Sequence, residues 1–132
     1  MSDGLENLII YALTDKDAVK AIYDYYVLNI PPAVLSGKYK IRKYVLRGYL
    51  ARVSASGRIK LVKFLKENID KLLELPLIYN EVKVNNNVGG VKHYSCRICG
   101  KVYKNMKKVR FHIRFKHKDY INNIITQFCR GG

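Results

Sequence analysis

Four residues near the end of the chain leave it little freedom: Cys96, Cys99, His112 and His117, spaced Cys-x2-Cys-x12-His-x4-His. Two thiolates and two imidazoles are a ligand set that suits tetrahedral Zn²⁺. The two-residue gap lets both cysteines point inward from one tight turn. The step between the histidines, taken on a helix, brings both rings to one face. The twelve residues between the pairs give the chain room to leave the turn, finish a short strand and begin that helix.

The same stretch carries apolar residues at the positions such a small unit needs: Tyr94, Tyr103 and Val109. A unit this size has almost no core without metal, so these side chains are expected to pack beside the ligands. Residues 94–118 thus resemble the C2H2 zinc finger family. The resemblance implies a ββα unit, one structural zinc ion held by Cys96, Cys99, His112 and His117, and a helix that contacts DNA. By the family's docking the helix starts near Asn105, and Asn105, Lys108 and Phe111 fall at base-reading positions with Lys107 beside them. Asn suits adenine and Lys suits guanine, while Phe111 departs from the usual polar residue and fits a thymine methyl or a protein surface. Lys101, Lys104, Arg110 and Arg114 are placed for phosphates, which fix register without carrying sequence. His93 lies outside the ligand spacing and is expected to be exposed.

Charge extends the argument beyond the metal unit. The chain of 132 residues has a formal net charge of +15. No acid occurs between Asp24 and Glu67, or between Glu81 and Asp119, and both gaps are rich in Lys and Arg. Two acid-free basic blocks are expected to be two phosphate-facing surfaces, since an evenly solvated surface mixes signs.

The first block lies in a helical region. The opening "LENLIIYAL" is apolar and short, and reads as a lead-in that covers the core. In the next segment Thr14 and Asp17 have capping-box spacing, and Val19, Ile22, Tyr23 and Tyr26 recur at helical intervals. Pro31-Pro32 stops that helix and opens a short one, "PPAVLSGKY". "RKYVLRGYLARVS" is a third helix. "RIKLVKFLKENIDKLLEL" is a fourth, ended by Pro76, with Val62, Leu65, Ile69 and Leu72 on a stripe that serves as core or as a homodimer interface. "LIYNEVKV" is a candidate strand, and "NNNVGG" reads as a turn-rich linker. The expected organisation is a helical domain at 1–84, a linker at 85–93, the metal unit at 94–118 and a short amphipathic helix in the tail at 119–132, with Ile121, Ile124, Ile125 and Phe128 on its apolar face. Cys129, the third cysteine, is expected to be a small residue packed in that tail.

Within the first domain, "AIYDYYVLNIPPAVLSGKYKIRKYVLRGYLARV" resembles the helix-turn-helix of sigma-factor-like regulators, over about residues 15–54. Leu35 and Ser36 supply the apolar and small residues of the first helix. Tyr39 closes it, Ile41 ends the turn, and Leu46 with Tyr49 or Leu50 buries the inner face of the second helix. The resemblance places Arg42, Lys43, Tyr44, Arg47 and Arg52 toward DNA. It departs at the turn, where the family often has glycine and this chain has Lys40, which must then take a left-handed conformation at a cost.

These readings give a mainly α fold: an N-terminal helical helix-turn-helix domain plus a C-terminal ββα zinc finger. A lone finger spans about three base pairs, and a tethered second module lengthens the site. The expected function is therefore sequence-specific binding of double-stranded DNA, in a transcription regulator. A non-specific packaging protein and a finger that binds protein are the rival readings, and RNA remains an open partner. No nucleophile elbow, phosphate-binding glycine loop or carboxylate pair suggests an enzyme. The start, "MSDGLENLII", lacks a signal-peptide pattern, and no apolar run reaches membrane-span length. With only three cysteines, an intracellular setting is expected: cytoplasm or nucleoid, or the host cytoplasm for a viral protein. The composition, rich in Lys, Ile and Tyr with no Trp and a single Gln, is similar to that of small basic regulators from thermophilic archaea and their viruses.

Overall fold

A helical stretch apolar on every side must be surrounded, and the second half of the first helix is such a stretch. From Leu8 to Leu13, no residue is more than 4% exposed. The computed structural model describes residues 3–86 and 89–130. Among them are helices α1 (Asp3–Thr14), α2 (Lys16–Tyr26), α3 (Pro32–Tyr39), α4 (Lys43–Val53) and α5 (Arg58–Glu74). Strands β1 (Tyr79–Asn86), β2 (Gly89–Cys96) and β3 (Val102–Tyr103) follow, then helices α6 (Met106–Lys116) and α7 (Lys118–Arg130). The fold is mainly helical with one small antiparallel sheet, in the order β1-β2-β3.

The expectation that the opening segment is a lead-in over the core is corrected: α1 is the centre of the core, with α2, α4, α5, α6 and α7 all packed on it. The cap between α1 and α2 also differs from the sequence reading. Thr14 belongs to α1 and donates to the Ile10 carbonyl at 2.8 Å. Asp15 is the N-cap of α2, its Oδ1 accepting from the backbone N–H groups of Asp17 and Ala18 at 3.1 and 3.3 Å. A carboxylate satisfies these orphan donors better than a hydroxyl and complements the helix dipole.

The α3–α4 turn forms as expected. Lys40 is left-handed, with φ 56° and ψ 43°. Ile41 N–H closes onto the Ser36 carbonyl at 3.1 Å, and the Ser36 hydroxyl returns to the Ile41 carbonyl. Leu35 and Leu46 are fully buried where the helices meet. After Ser54–Ser56, α5 runs until Leu75 turns extended ahead of Pro76. Its buried stripe is Leu61, Leu65, Asn68 and Leu72, while Val62 and Ile69 are half-buried. The Lys16 ammonium donates to the carbonyls of Ala12, Leu72 and Leu75, serving the ends of α1 and α5 together. Burial lowers its pKa below the ordinary lysine value.

Where a linker was expected at 85–93, the described residues 85–86 and 89–93 are strand. Val82 pairs with His93, Asn85 with Gly90 and Asn86 with Gly89. His93 is accordingly half-buried on β2, with its Nδ1 3.2 Å from the Val91 carbonyl, rather than exposed beside a linker. The base of the hairpin is tied to the helices: Ile78 N–H donates to the Leu13 carbonyl at 3.0 Å, and Arg97 N–H to the Ile78 carbonyl at 2.9 Å. The tail helix α7 buries Ile121, Ile124, Ile125 and Phe128 as its periodicity predicts, against α1 and α6, with the Phe128 ring 5.7 Å from that of Phe64 on α5. The side chain of Cys129 lies outside the described residues.

Two stability outcomes follow. Leu13→Ala should destabilise the zinc-loaded chain by about 2–5 kcal/mol in urea unfolding, as for a buried leucine that leaves a cavity. Lys40→Gly should stabilise it by about 1 kcal/mol, because only the left-handed strain is relieved.

Candidate metal centre

β2 ends at Cys96 and the chain folds back at once. Gly100 N–H donates to the Cys96 carbonyl at 2.7 Å, and Cys96 N–H to the Lys101 carbonyl at 2.8 Å. Gly100 carries φ +84°, a backbone conformation that side chains disfavour. This knuckle presents Cys96 and Cys99 to the first face of α6. Asn105 starts that helix as its N-cap, its Oδ1 accepting from Lys108 N–H at 2.9 Å. The base-reading role expected for Asn105 therefore competes with a cap that already uses its oxygen.

The four sequence-predicted ligands come together. One donor atom from each of Cys96, Cys99, His112 and His117 lies within 4.8 Å of all the others. Cys99 Sγ is 3.1 Å from His112 Nε2, and the Nε2 atoms of His112 and His117 are 3.0 Å apart. A tetrahedral ion with bonds of about 2.0–2.3 Å gathers its ligands at roughly this spacing. The group can hold one metal ion, and two sulfurs with two imidazole nitrogens are a donor set that suits zinc.

The surroundings fit that ion. Tyr103 Oη lies 2.9 Å from His112 Nδ1. With Nδ1–H donating to this oxygen, the lone pair of Nε2 is left to face the other ligands. Burial lowers the His112 pKa, and His117, Lys101 and Lys116 push the same way, favouring the neutral ring that a metal needs. Burial raises the Cys96 thiol, partly offset by the N–H groups of Cys99 and Ile98. A cation at the centre supplies the charge that turns the thiol into thiolate. Val109 is fully buried, and the Tyr103 ring lies 5.0 Å from that of His112.

The residues expected to face DNA divide. Arg42 at the N-cap of α4 and Lys43, Tyr44, Arg47 and Arg52 on it are exposed, as are Lys101, Lys104, Lys107, Lys108 and Phe111, while Arg114 is half-buried. Arg110 is not available as a surface phosphate contact. Its side chain is 18% exposed and turned onto the helical part of the chain. Nε donates to Thr14 Oγ1 at 3.1 Å, one terminal nitrogen donates to Tyr49 Oη at 3.1 Å, and the other lies 3.5 Å from Asp15 Oδ2. The guanidinium also sits 5.5 and 5.4 Å from the ring centres of Tyr11 and Tyr49. Its partners are distant in sequence, so spacing gave no signal for this role.

Arg110 and Tyr49 stand between two clefts. One, of about 510 Å³, is lined by Tyr44, Val45, Gly48 and Arg52 of α4 and by Lys107, Phe111 and Arg114 of α6, over Ile10 and Tyr11. The other, of about 490 Å³, is lined in part by Asp15, Asp17 and Glu81. The first contains no carboxylate and the second contains three, so the two sides of Arg110 differ in sign. Among the described residues, no helix is long and apolar enough to cross a membrane. No protein-family model, curated protein or solved structure matches the chain.

Tyr103→Phe should weaken zinc binding about tenfold, measured by competition with a chromophoric chelator, because it removes the oxygen that orients His112. Unchanged affinity would show that the phenol does not set the ring.

Proposed function

We propose that the chain binds double-stranded DNA as a sequence-specific transcription regulator, with a helix-turn-helix formed by α3 and α4, a zinc finger at 94–118, and one structural zinc ion in the Cys2His2 group. The observation that carries this reading is the shared face of α4 and α6. Both helices carry exposed Lys and Arg, and both border one cleft that no carboxylate lines. At the start of α4, the N-cap Arg42 and the helix residues Lys43 and Arg47 are exposed, where a recognition helix meets base edges. On α6, Lys107 and Lys108 occupy the corresponding first turn. The attachment of both helices to α1 supports joint action on one site rather than independent binding by tethered modules.

A second reading has its own observation. Phe111 and Phe115 are 61% and 63% exposed, with rings 4.8 Å apart. An apolar pair of this kind on an α6 surface suits a protein partner.

Selection of the zinc-loaded protein on a random duplex library decides between them. The DNA reading predicts a motif clearly longer than the roughly three base pairs of one finger. Arg47→Ala should weaken binding to the selected site by about 1–3 kcal/mol and relax the sequence preference at the base pair it meets. Flat enrichment with steep salt dependence would overturn sequence specificity in favour of packaging, and absence of binding would favour the protein partner.

A further inference from the structure

The cleft between α4 and α6 has a chemistry that duplex edges alone do not use. Tyr44, Gly48 and Arg52 are spaced four apart on α4, so they form one stripe along the helix. Lys107, Phe111 and Arg114 form the facing stripe on α6. Each wall therefore offers one aromatic ring between or beside cations. Tyr44 is 69% exposed and Phe111 is 61% exposed, although both are large enough to reward burial. The floor is made by Ile10, Val45 and Tyr11, with Tyr11 and Tyr49 held against Arg110.

Gly48 lies on the cleft wall between Tyr44 and Arg52. A helix interior normally disfavours glycine by about 1 kcal/mol relative to alanine. No turn or left-handed backbone requires glycine there, since the residue lies within α4. The Arg52 guanidinium lies over it: a Cβ at Gly48 would come to 3.4 Å from Arg52 Nη1, an ordinary contact with the flexible end of a side chain, and the same nitrogen donates to Tyr11 Oη at 3.3 Å. The glycine lets the guanidinium lie close along the helix.

We propose that the α4–α6 cleft receives one unstacked base of the bound DNA, held between the Tyr44 and Phe111 rings, with the flanking phosphates on Arg52, Lys107 and Arg114. The inference rests on the proposed DNA-binding function and adds a preference to it: a duplex with an unpaired nucleotide at the site binds more tightly than the fully paired one. A volume of about 510 Å³ lies within the range of small-ligand sites. A stacked base pair presents only its edges and cannot fill such a recess, whereas a base turned out of the stack presents a face to aromatic side chains. The cationic rim and the absence of any carboxylate in the lining match a phosphate-linked ligand better than a neutral apolar segment of protein.

The test compares two labelled duplexes of one sequence, one fully paired and one with a single unpaired thymidine, by fluorescence anisotropy with the zinc-loaded full chain at fixed salt. The expected ratio of affinities is about tenfold in favour of the unpaired thymidine. Tyr44→Ala, Phe111→Ala and the cleft-filling Gly48→Leu should each bring the ratio close to one. Tyr44→Phe and Phe111→Tyr should retain it, which separates stacking from loss of fold. A ratio near one in the unaltered protein, or one that persists in the alanine and leucine variants, overturns the proposal and leaves the cleft to a protein segment. If the paired duplex binds and the ratio is one, only this inference falls. If the unpaired duplex alone binds, the duplex-recognition reading falls and this one stands. If neither binds, both fall.

Discussion

The burial of α1 is the constraint on which the other placements depend. Leu8 to Leu13 cannot be left in water, and one layer of helices is too few to cover them. The chain covers them from both of its ends, with α2, α4 and α5 on one part of the surface and α6 and α7 on the rest. A single hydrophobic cluster therefore contains Leu35 and Leu46 from the turn between α3 and α4, and Val109, Ile113 and Ile121 from the metal end. The metal group consequently sits on a helix whose inner face is already part of the main core. This is unlike a small metal unit whose only support is its ion.

Arg110 makes the junction directional. Apolar packing against α1 permits many orientations of α6, but a planar guanidinium with several partners permits few. Thr14 and Tyr49 accept from its N–H groups, Asp15 pairs with it at 3.5 Å, and the rings of Tyr11 and Tyr49 flank it. Asp15 serves two elements at once, one oxygen capping α2 and the other facing Arg110. The positions of α4 and α6 across their shared cleft follow from this. Residue 110 also shows why a basic run cannot be assigned to one partner as a block: Lys107 and Lys108 are exposed while Arg110 holds the fold together.

The legible parts of the chain were those set by local chemistry. The ligand spacing foretold the gathering of Cys96, Cys99, His112 and His117, because a knuckle and one helix turn fix it without distant help. The α3–α4 turn was legible through Leu35, Ser36 and Leu46, even with Lys40 taking the left-handed position. The apolar period of the tail gave the buried face of α7. By contrast, "LENLIIYAL" has no polar residue after Glu6 and Asn7, so it shows none of the periodic polar positions that mark a helix with one wet face, and its central place was not visible. Asn85, Asn86, Gly89 and Gly90 resemble a linker by composition, yet they pair as strand because their partners lie across the hairpin. The role of Arg110 depends on contacts 61 and 96 positions away in sequence, which no spacing rule reaches.

The metal end and the helical region share one core around α1. Calorimetric unfolding of the full chain, with zinc and after chelation, reads that coupling. A shared core gives one cooperative transition for the zinc-loaded protein, and on chelation a loss of stability that includes α2, α4 and α5. Two separate transitions, with the one belonging to the first five helices at the same temperature with and without metal, would contradict it.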